Sequence, residues 1–292
     1  FKTSVIANLN TQQVQALTTD QLVGLNTQQF SSLSTASIKA LSTLQIRVLT
    51  SAQLNSLGSA HIAAIETTDI NALTTAQVST LSTTQIVGLS TAQVAALSTG
   101  QVAALTSVQI NALASDDLKA LTTTQVRALT SDQLSKLSSD QIALMATDDI
   151  AALGTGQISH LSTSAIAALT TAQAKALTTA SINALTSAQV TAIETADLAA
   201  MSTAQLSKLG TAQVAQLTSV QVAALTSGQV KSLNSDQVAA LTSAQLNALT
   251  SSQLPSLSTA QVRALTTDQL SKLTTTQIVG LSTAQVAALS TG

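Results

Sequence analysis

The sequence contains no cysteine, tryptophan or tyrosine, and only one proline in 292 residues. The lack of cysteine excludes disulfides and thiolate metal sites. Charged residues make up 8% of the chain, against about 25% in a typical domain, and the eleven Lys and Arg are scattered singly. With no basic cluster and no aromatic stacking platform, we expect no nucleic-acid binding. No apolar run approaches the roughly 18 residues that cross a bilayer, so we predict no transmembrane segment.

The sequence consists of a single repeated octapeptide. The pattern Leu-(Ser/Thr)-(Ser/Thr)-x-Gln-(Val/Ile/Leu)-x-Ala runs from Phe1 to Ala288 in 36 repeats without insertion or deletion. A repeat this short cannot bury its own apolar side chains, so it must stack on its neighbours. We therefore predict one continuous, elongated solenoid domain over residues 1–292, and we expect it to be a segment of a longer array.

The repeat at residues 89–96 carries the signals of a helix start. Ser90 and Gln93 have the capping-box spacing, and Leu89 and Val94 have the spacing of a hydrophobic staple. Asn and Gly, which are also accepted caps, replace Ser and Thr at the second position. We therefore predict an all-α solenoid with one very short helix in each repeat. A β-solenoid is the alternative, because Thr, Val and Ile favour strands.

The other positions of the repeat predict how the helices pack. Leu in the first position, where the first repeat has Phe1, and the aliphatic sixth position are expected to form the core. The eighth position is usually Ala, and it must lie near an edge because it also accepts three lysines and a histidine: Lys136, Lys208, Lys272 and His160. Two or three helices per coil are both feasible. At about 8–10 Å between packed helices, these choices give rods of about 180 and about 120 Å respectively.

The third position is the strictest, since all 37 occurrences are Ser or Thr. The second position already caps the helix, so capping does not require a hydroxyl at the third. Three interpretations stay open. The hydroxyls form an internal ladder to the preceding turn or the neighbouring coil, they carry O-linked glycans, or they order water or ice.

The candidates for chemistry are two acidic pairs and two histidines, namely Glu66 with Asp69, Glu194 with Asp197, His61 and His160. We interpret the acidic pairs as helix starts that complement the helix dipole, because Ca²⁺ prefers six to eight oxygen ligands. The histidines lie 99 residues apart and have no cysteine or oriented acid beside them. Pro255 is expected to distort one helix end. We therefore predict no catalytic, cofactor-binding or metal-binding residue, and no enzymatic activity.

The sequence Ser-Thr-Ala-Gln-Val-Ala-Ala-Leu at residues 90–97 resembles the Ala/Thr/Gln-rich octapeptide arrays of very large secreted or surface bacterial proteins. The resemblance implies an adhesin- or filament-like structural role outside the cell or at its surface. Residues 82–100 and 274–292 differ only in their first residue, which indicates an array grown by duplication. We expect a stalk, spacer or fibre-forming segment that associates end to end or continues into the same array. The alternative is a binding solenoid that recognises a glycan, ice or a protein partner through its Ser/Thr/Gln surface.

Overall fold

The computed structural model describes residues 2–289, which form two compact units. The N-terminal unit ends at Met145 and the C-terminal unit starts at Ala146. Helices of three to seven residues make up both units, and residues 2–289 contain no strand. The all-α prediction is confirmed, and the β-solenoid alternative is wrong for these residues. Phe1, expected in the core, lies outside the described residues, and one continuous domain over 1–292 stays a prediction.

The N-terminal unit contains eighteen helices, one in each repeat. Their bounds are α1 Thr3–Ile6, α2 Thr11–Gln15, α3 Thr19–Val23, α4 Thr27–Ser31, α5 Thr35–Lys39, α6 Thr43–Val48, α7 Ser51–Ser56, α8 Ser59–Ala64, α9 Thr67–Ile70, α10 Thr75–Thr80, α11 Thr83–Val87, α12 Thr91–Ala96, α13 Thr99–Ala104, α14 Ser107–Ala112, α15 Ser115–Ala120, α16 Thr123–Ala128, α17 Ser131–Lys136 and α18 Ser139–Leu144.

The C-terminal unit is built in the same way. Its elements are α19 Thr147–Ala152, α20 Thr155–Ile158, α21 Thr163–Ala167, α22 Thr171–Ala176, α23 Thr179–Ala184, α24 Ser187–Ala192, α25 Thr195–Ala200, α26 Thr203–Leu206, α27 Thr211–Gln216, α28 Ser219–Ala224, α29 Ser227–Ser232, α30 Ser235–Ala239, α31 Ser243–Asn247, the 3₁₀-helix η1 Leu254–Ser256, α32 Thr259–Arg263, α33 Thr267–Ser271, α34 Thr275–Val279 and α35 Thr283–Leu289.

Nearly all of these helices start at the third position because the second position caps them. In α12, the Ser90 hydroxyl accepts the backbone N–H of Gln93 at 3.3 Å, and Gln93 Oε1 accepts the backbone N–H of Ser90 at 2.8 Å. Asn10 and Asn234 form the same reciprocal pair. The capping box predicted from the spacing is therefore confirmed, and it satisfies two backbone donors that a helix start leaves unpaired.

Three helices make one coil within each unit. Helices three apart along the chain pack on each other, as in α10 on α13, α14 on α17 and α22 on α25. The spacing holds across η1, which replaces one helix: α29 packs on η1, and α30 packs on α32, with α31 and η1 between them. One coil therefore takes three repeats, or 24 residues, and this result decides between the two choices that the repeat left open.

The core lies inside the coil and is made of the first and sixth positions, as predicted. Val94 and Ile110 in the sixth position are fully buried, and Leu97 in the first is 5% exposed. In the last described coil the sixth-position residues Ile278 and Val286 are about half exposed, because no described coil covers them. Each coil thus buries the sixth position of the coil before it.

The eighth position lies at the edge of this core. Most of its alanines are half-buried, whereas the three lysines and the histidine found there are exposed: Lys136, Lys208, Lys272 and His160. At one eighth-position residue the coils approach so closely that only glycine fits, since a Cβ added to Gly88 would lie 2.6 Å from Ser59 Cβ on the preceding coil. The predicted edge is confirmed.

Pro255 disrupts its repeat to a greater extent than the expected distortion of one helix end. It lies in the seventh position, where its ring nitrogen has no hydrogen to donate to the preceding turn. The α-helix of that repeat is replaced by the short η1, although Thr250 and Gln253 still form the reciprocal capping bonds. The distortion is therefore confined to the conformation of a single repeat.

Candidate functional site

The glutamine in the fifth position is the most regularly buried polar side chain in the fold. Gln93 is 1% exposed, and its counterparts Gln133 and Gln245 are 1% and 2% exposed. A buried amide needs hydrogen-bond partners for both its oxygen and its nitrogen. The capping box occupies the oxygen, so the nitrogen must find an acceptor elsewhere.

That acceptor is the backbone of the preceding coil. Gln93 Nε2 donates to the carbonyl oxygens of Ile62 at 2.9 Å and Ile65 at 2.6 Å, which lie at the corner between α8 and α9. The final carbonyls of a helix have no partner within that helix. One glutamine therefore joins the start of its own helix to the end of a helix in the coil before it.

The same bond recurs in both units at fixed sequence separations of 31 and 28 residues. In the N-terminal unit, Gln53 Nε2 donates to Leu22 O at 2.8 Å and Leu25 O at 3.0 Å. In the C-terminal unit, Gln221 Nε2 donates to Val190 O at 3.0 Å and to the carbonyl of the following first position at 2.8 Å. We call this set of fifth-position side chains the glutamine ladder.

The octapeptide pattern indicated the glutamine only as half of a capping box and did not predict the ladder. A signal was present: no fifth position holds Glu, although Glu serves a capping box as well as Gln. The difference between them is the amide nitrogen, because a carboxylate cannot donate to a carbonyl oxygen. The preference for Gln therefore reports the bond to the neighbouring coil.

The invariant Ser/Thr of the third position lies at the surface. In every repeat among residues 2–289 this residue is exposed or half-buried. Some of its hydroxyls bond to the next coil, as in Thr43 to Asp69 Oδ1 at 2.6 Å and Ser243 to Asp268 Oδ2 at 2.7 Å. The expectation of an internal hydroxyl ladder is confirmed only in part: these hydroxyls reach the neighbouring coil, but the fifth-position amides occupy the interior. The glycan and ice interpretations stay predictions.

Four repeats replace the glutamine with an aspartate, at Asp69, Asp117, Asp149 and Asp197, and all four carboxylates are buried. Each lies in the first turn of its helix, as the sequence predicted for Asp69 and Asp197. The second position of these repeats is Glu or Ala and provides no side-chain cap. Thr171 donates to Asp197 Oδ1 at 2.6 Å, as Thr43 does to Asp69. These corners lack the amide donor that characterises the ladder.

Asp117 shows the energetic consequence of the replacement. Burial raises the pKa of its carboxyl, a backbone hydrogen bond from Ala114 opposes the rise, and the charge of Asp116 adds to it. The ionised carboxylate has lost hydration in a place where the ladder would supply a neutral amide. Asp117 therefore marks a corner that is weaker at neutral pH.

Charged residues that are distant in sequence come together around α9 in the N-terminal unit. Three open grooves of about 590, 510 and 570 Å³ surround this helix. The first two share Lys39 and Glu66, whose charged groups are 4.0 Å apart, and the third is lined by Leu44 and Arg47. Hydroxyl and amide groups line much of the rest of each groove, together with alanine side chains and, in the first groove, the Asp69 carboxylate. The three-helix coil thus brings together non-consensus residues from three separate octapeptides.

The two histidines occupy different environments. His160 is exposed, with Nδ1 lying 2.6 Å from the carbonyl oxygen of Gly156 in the preceding turn. His61 takes the fifth position of its repeat, and its Nε2 lies 3.0 Å from Leu33 O on the preceding coil. Among residues 2–289, no three His, Cys, Asp or Glu side chains are grouped as metal ligands. The absence of catalytic and cofactor sites stays a prediction.

Within the same residues, no helix is both long enough and apolar enough to cross a membrane. The family model described as the ALTTAQ repeat matches eight stretches of the sequence, at residues 23–59, 62–99, 87–115, 110–147, 142–179, 190–227, 221–251 and 243–275. Together these stretches cover well over half of the chain. No curated protein matches it.

The ladder predicts that Gln→Glu lowers the free energy of unfolding more at a buried fifth position than at an exposed one. Gln93→Glu keeps the oxygen that accepts from Ser90 and removes the donor to the preceding coil, so we expect it to lower the free energy of unfolding by about 2 kcal/mol. Gln13→Glu is the matched control, because Gln13 is exposed and no described coil precedes it. We expect that control to change stability by less than about 0.5 kcal/mol. Urea unfolding at pH 7 measures both, and equal losses would contradict the ladder.

A second prediction concerns Asp117. Asp117→Gln removes a buried charge and restores an amide donor toward Ile86 O and Leu89 O, so we expect a gain of about 1–2 kcal/mol at pH 7. A raised pKa in the folded state means that the wild type gains stability as the pH falls toward the ordinary value of 3.8. The advantage of the variant should therefore shrink on acidification. Unfolding curves from pH 7 to pH 4 measure this change.

The control for that experiment is Asp132→Gln, because Asp132 is an exposed first-turn residue of α17 at the same repeat position as Asp116. We expect this variant to leave stability at pH 7 almost unchanged, since exposed surface substitutions change stability little. If the advantage of Asp117→Gln stays constant with pH, burial of the ionised carboxylate is not the cause of the weak corner.

Proposed function

Because the chain belongs to the ALTTAQ-repeat family, we propose that it is a structural repeat element that acts as a stalk, spacer or fibre-forming segment outside the cell. One observation carries the proposal: the glutamine ladder makes the same bond between successive coils in both units. A junction that repeats unchanged allows length to be varied by adding repeats. The proposed location rests on the resemblance to large secreted and surface arrays. We propose no enzymatic role.

End-to-end association follows from the same junction. At one end the fifth-position amides of Gln13 and Gln21 are exposed, and at the other Ile278 and Val286 expose aliphatic surface that is buried elsewhere in the array. These are the two sides of the contact that joins coils within each unit. A head-to-tail contact of this kind generates an open filament unless its rotation closes a ring. Further coils of the same array would use the same groups.

X-ray scattering over a concentration series tests this proposal. Coils continued along one axis, at about 10 Å each, would extend about 120 Å and give a radius of gyration of about 35 Å, whereas a compact chain of this length would give about 19 Å. We expect the larger value at low concentration and a further increase as copies associate. The lower value would contradict the spacer role.

A pair of variants tests the end contact separately. Ile278→Asp combined with Val286→Asp should abolish the increase with concentration, because it places charges on the apolar end. Val220→Asp is the control, since Val220 is an exposed residue on α28, away from both ends. An increase that both variants retain would show that the copies associate side by side.

A binding role is the second candidate, and the grooves around α9 favour it. Arg47 and Leu44, which is 70% exposed, line one groove together with hydroxyl and amide groups. The exposed guanidinium favours a carboxylate, and the hydroxyls favour a sugar. We therefore propose an acidic glycan as the ligand of this second candidate.

The C-terminal unit supplies a matched control for the groove. Lys175 lies 128 residues after Arg47 at the same repeat position, but Ala172 stands where the groove has Leu44. We expect Arg47→Ala to reduce retention on a uronic-acid or sialylated glycan array by about tenfold, which corresponds to about 1.4 kcal/mol. Lys175→Ala should leave it unchanged. Equal effects, or no retention of the wild type, would remove the second candidate.

A further inference from the structure

His61 takes the place of a ladder glutamine in α8. It makes the bond to the preceding coil but not the bond that caps its own helix. Its Nε2 lies 3.0 Å from the carbonyl oxygen of Leu33, which is 28 residues earlier, the same separation that joins Gln93 to Ile65. A carbonyl oxygen can only accept, so Nε2 carries the hydrogen. In the neutral ring, Nδ1 then carries a lone pair and no hydrogen.

Nδ1 of His61 is the one buried side-chain nitrogen or oxygen atom among residues 2–289 that has no hydrogen-bond partner. In the glutamine repeats, the corresponding acceptor is Oε1, which bonds the backbone N–H of the second position. The second position of this repeat is Gly58, and a Cβ placed on it would lie 3.9 Å from Nδ1. Nδ1 therefore faces the start of α8, where the nearby backbone groups are N–H donors.

The charged groups around this ring are few. Of the helices packed against α8, α5 carries Lys39 and α11 carries no titratable residue. Of its neighbours along the chain, α7 carries none, and α9 carries Asp69 with Glu66 at its start. Glu66 lies 4.0 Å from Lys39, and no carboxylate hydrogen-bonds Nδ1. A proton on Nδ1 would therefore find no carboxylate as its acceptor.

We propose that His61 is an acid-sensitive joint between two coils of the N-terminal unit. When Nδ1 takes a proton, its new N–H points into a buried place that faces other donors. The ring must then move to water, which breaks the bond from Nε2 to Leu33 O and loosens α8 from the coil below. This inference goes beyond the structural role, because it makes one contact of the stack respond to acidification.

The chain contains two histidines, which makes the ring spectra simple to assign. In ¹⁵N–¹H ring correlation spectra of the full chain at pH 7.5, we expect His61 as the neutral ring with its hydrogen on Nε2. His160→Gln identifies the remaining signal. A His61 ring with its hydrogen on Nδ1 would overturn the proposal.

Thermal unfolding of the full chain tests the consequence. His61→Gln supplies both an acceptor for the Gly58 N–H and a donor to Leu33 O, so we expect its melting temperature to exceed that of the wild type by about 2–4 °C at pH 7.5. The gap should widen at pH 5.5, because only the wild type gains a proton at this corner. His160→Gln should follow the wild type at both values, and a gap that stays constant would overturn the proposal.

Hydrogen exchange of the wild type gives an answer that depends on no variant. After correction for intrinsic rates, amides of residues 57–65 should lose protection between pH 7.5 and pH 5.5. Residues 185–193, a glutamine repeat, serve as the internal comparison and should keep theirs. Equal changes in the two segments would overturn the proposal.

Discussion

The interaction on which the fold depends is the pair of hydrogen bonds made by the two ends of one glutamine side chain. Gln93 Oε1 holds the start of α12, and Nε2 holds the end of α8 in the preceding coil. A helix of six residues is unstable by itself in water, because it makes few internal bonds for the residues it orders. The ladder compensates by satisfying the backbone groups that such short helices leave unpaired. Local structure and stacking thus depend on the same side chain.

The residue in the fifth position determines how strongly each coil is hydrogen-bonded to the coil before it. Ser37 still reaches the preceding coil, since its hydroxyl lies 3.2 Å from Leu9 O. Asp69 accepts a hydroxyl hydrogen from Thr43 but cannot donate to a carbonyl when ionised, and Ala165 has no polar group to offer. Opening of the stack is therefore expected to begin at the replaced corners, because the least bonded segments of a fold exchange first.

The three-helix coil rearranges what is dispersed along the sequence. Charged residues separated by up to 30 positions line adjacent grooves around α9. Most acidic residues of the N-terminal unit also fall on one side of the coil, on or at the start of α3, α9, α15 and α18: Asp20, Glu66, Asp69, Asp116, Asp117 and Asp140. The nearly identical segments 82–100 and 274–292 are 192 residues apart, which is a whole number of 24-residue coils. A duplication of that length preserves the three-repeat period of the coil.

The amino-acid sequence by itself determined the helices, their starts, the core positions and the exposed edge, because caps and staples act over a few residues and repeat unchanged. It also indicated that Pro255 breaks the regularity, although the loss of the whole α-helix depended on one missing N–H in so short an element. The number of helices per coil, the buried role of the glutamine and the exposure of the third position were decided only by the tertiary structure. Each depends on which carbonyls lie 28 and 31 residues away, and a strict octapeptide repeat looks the same whichever neighbour is reached.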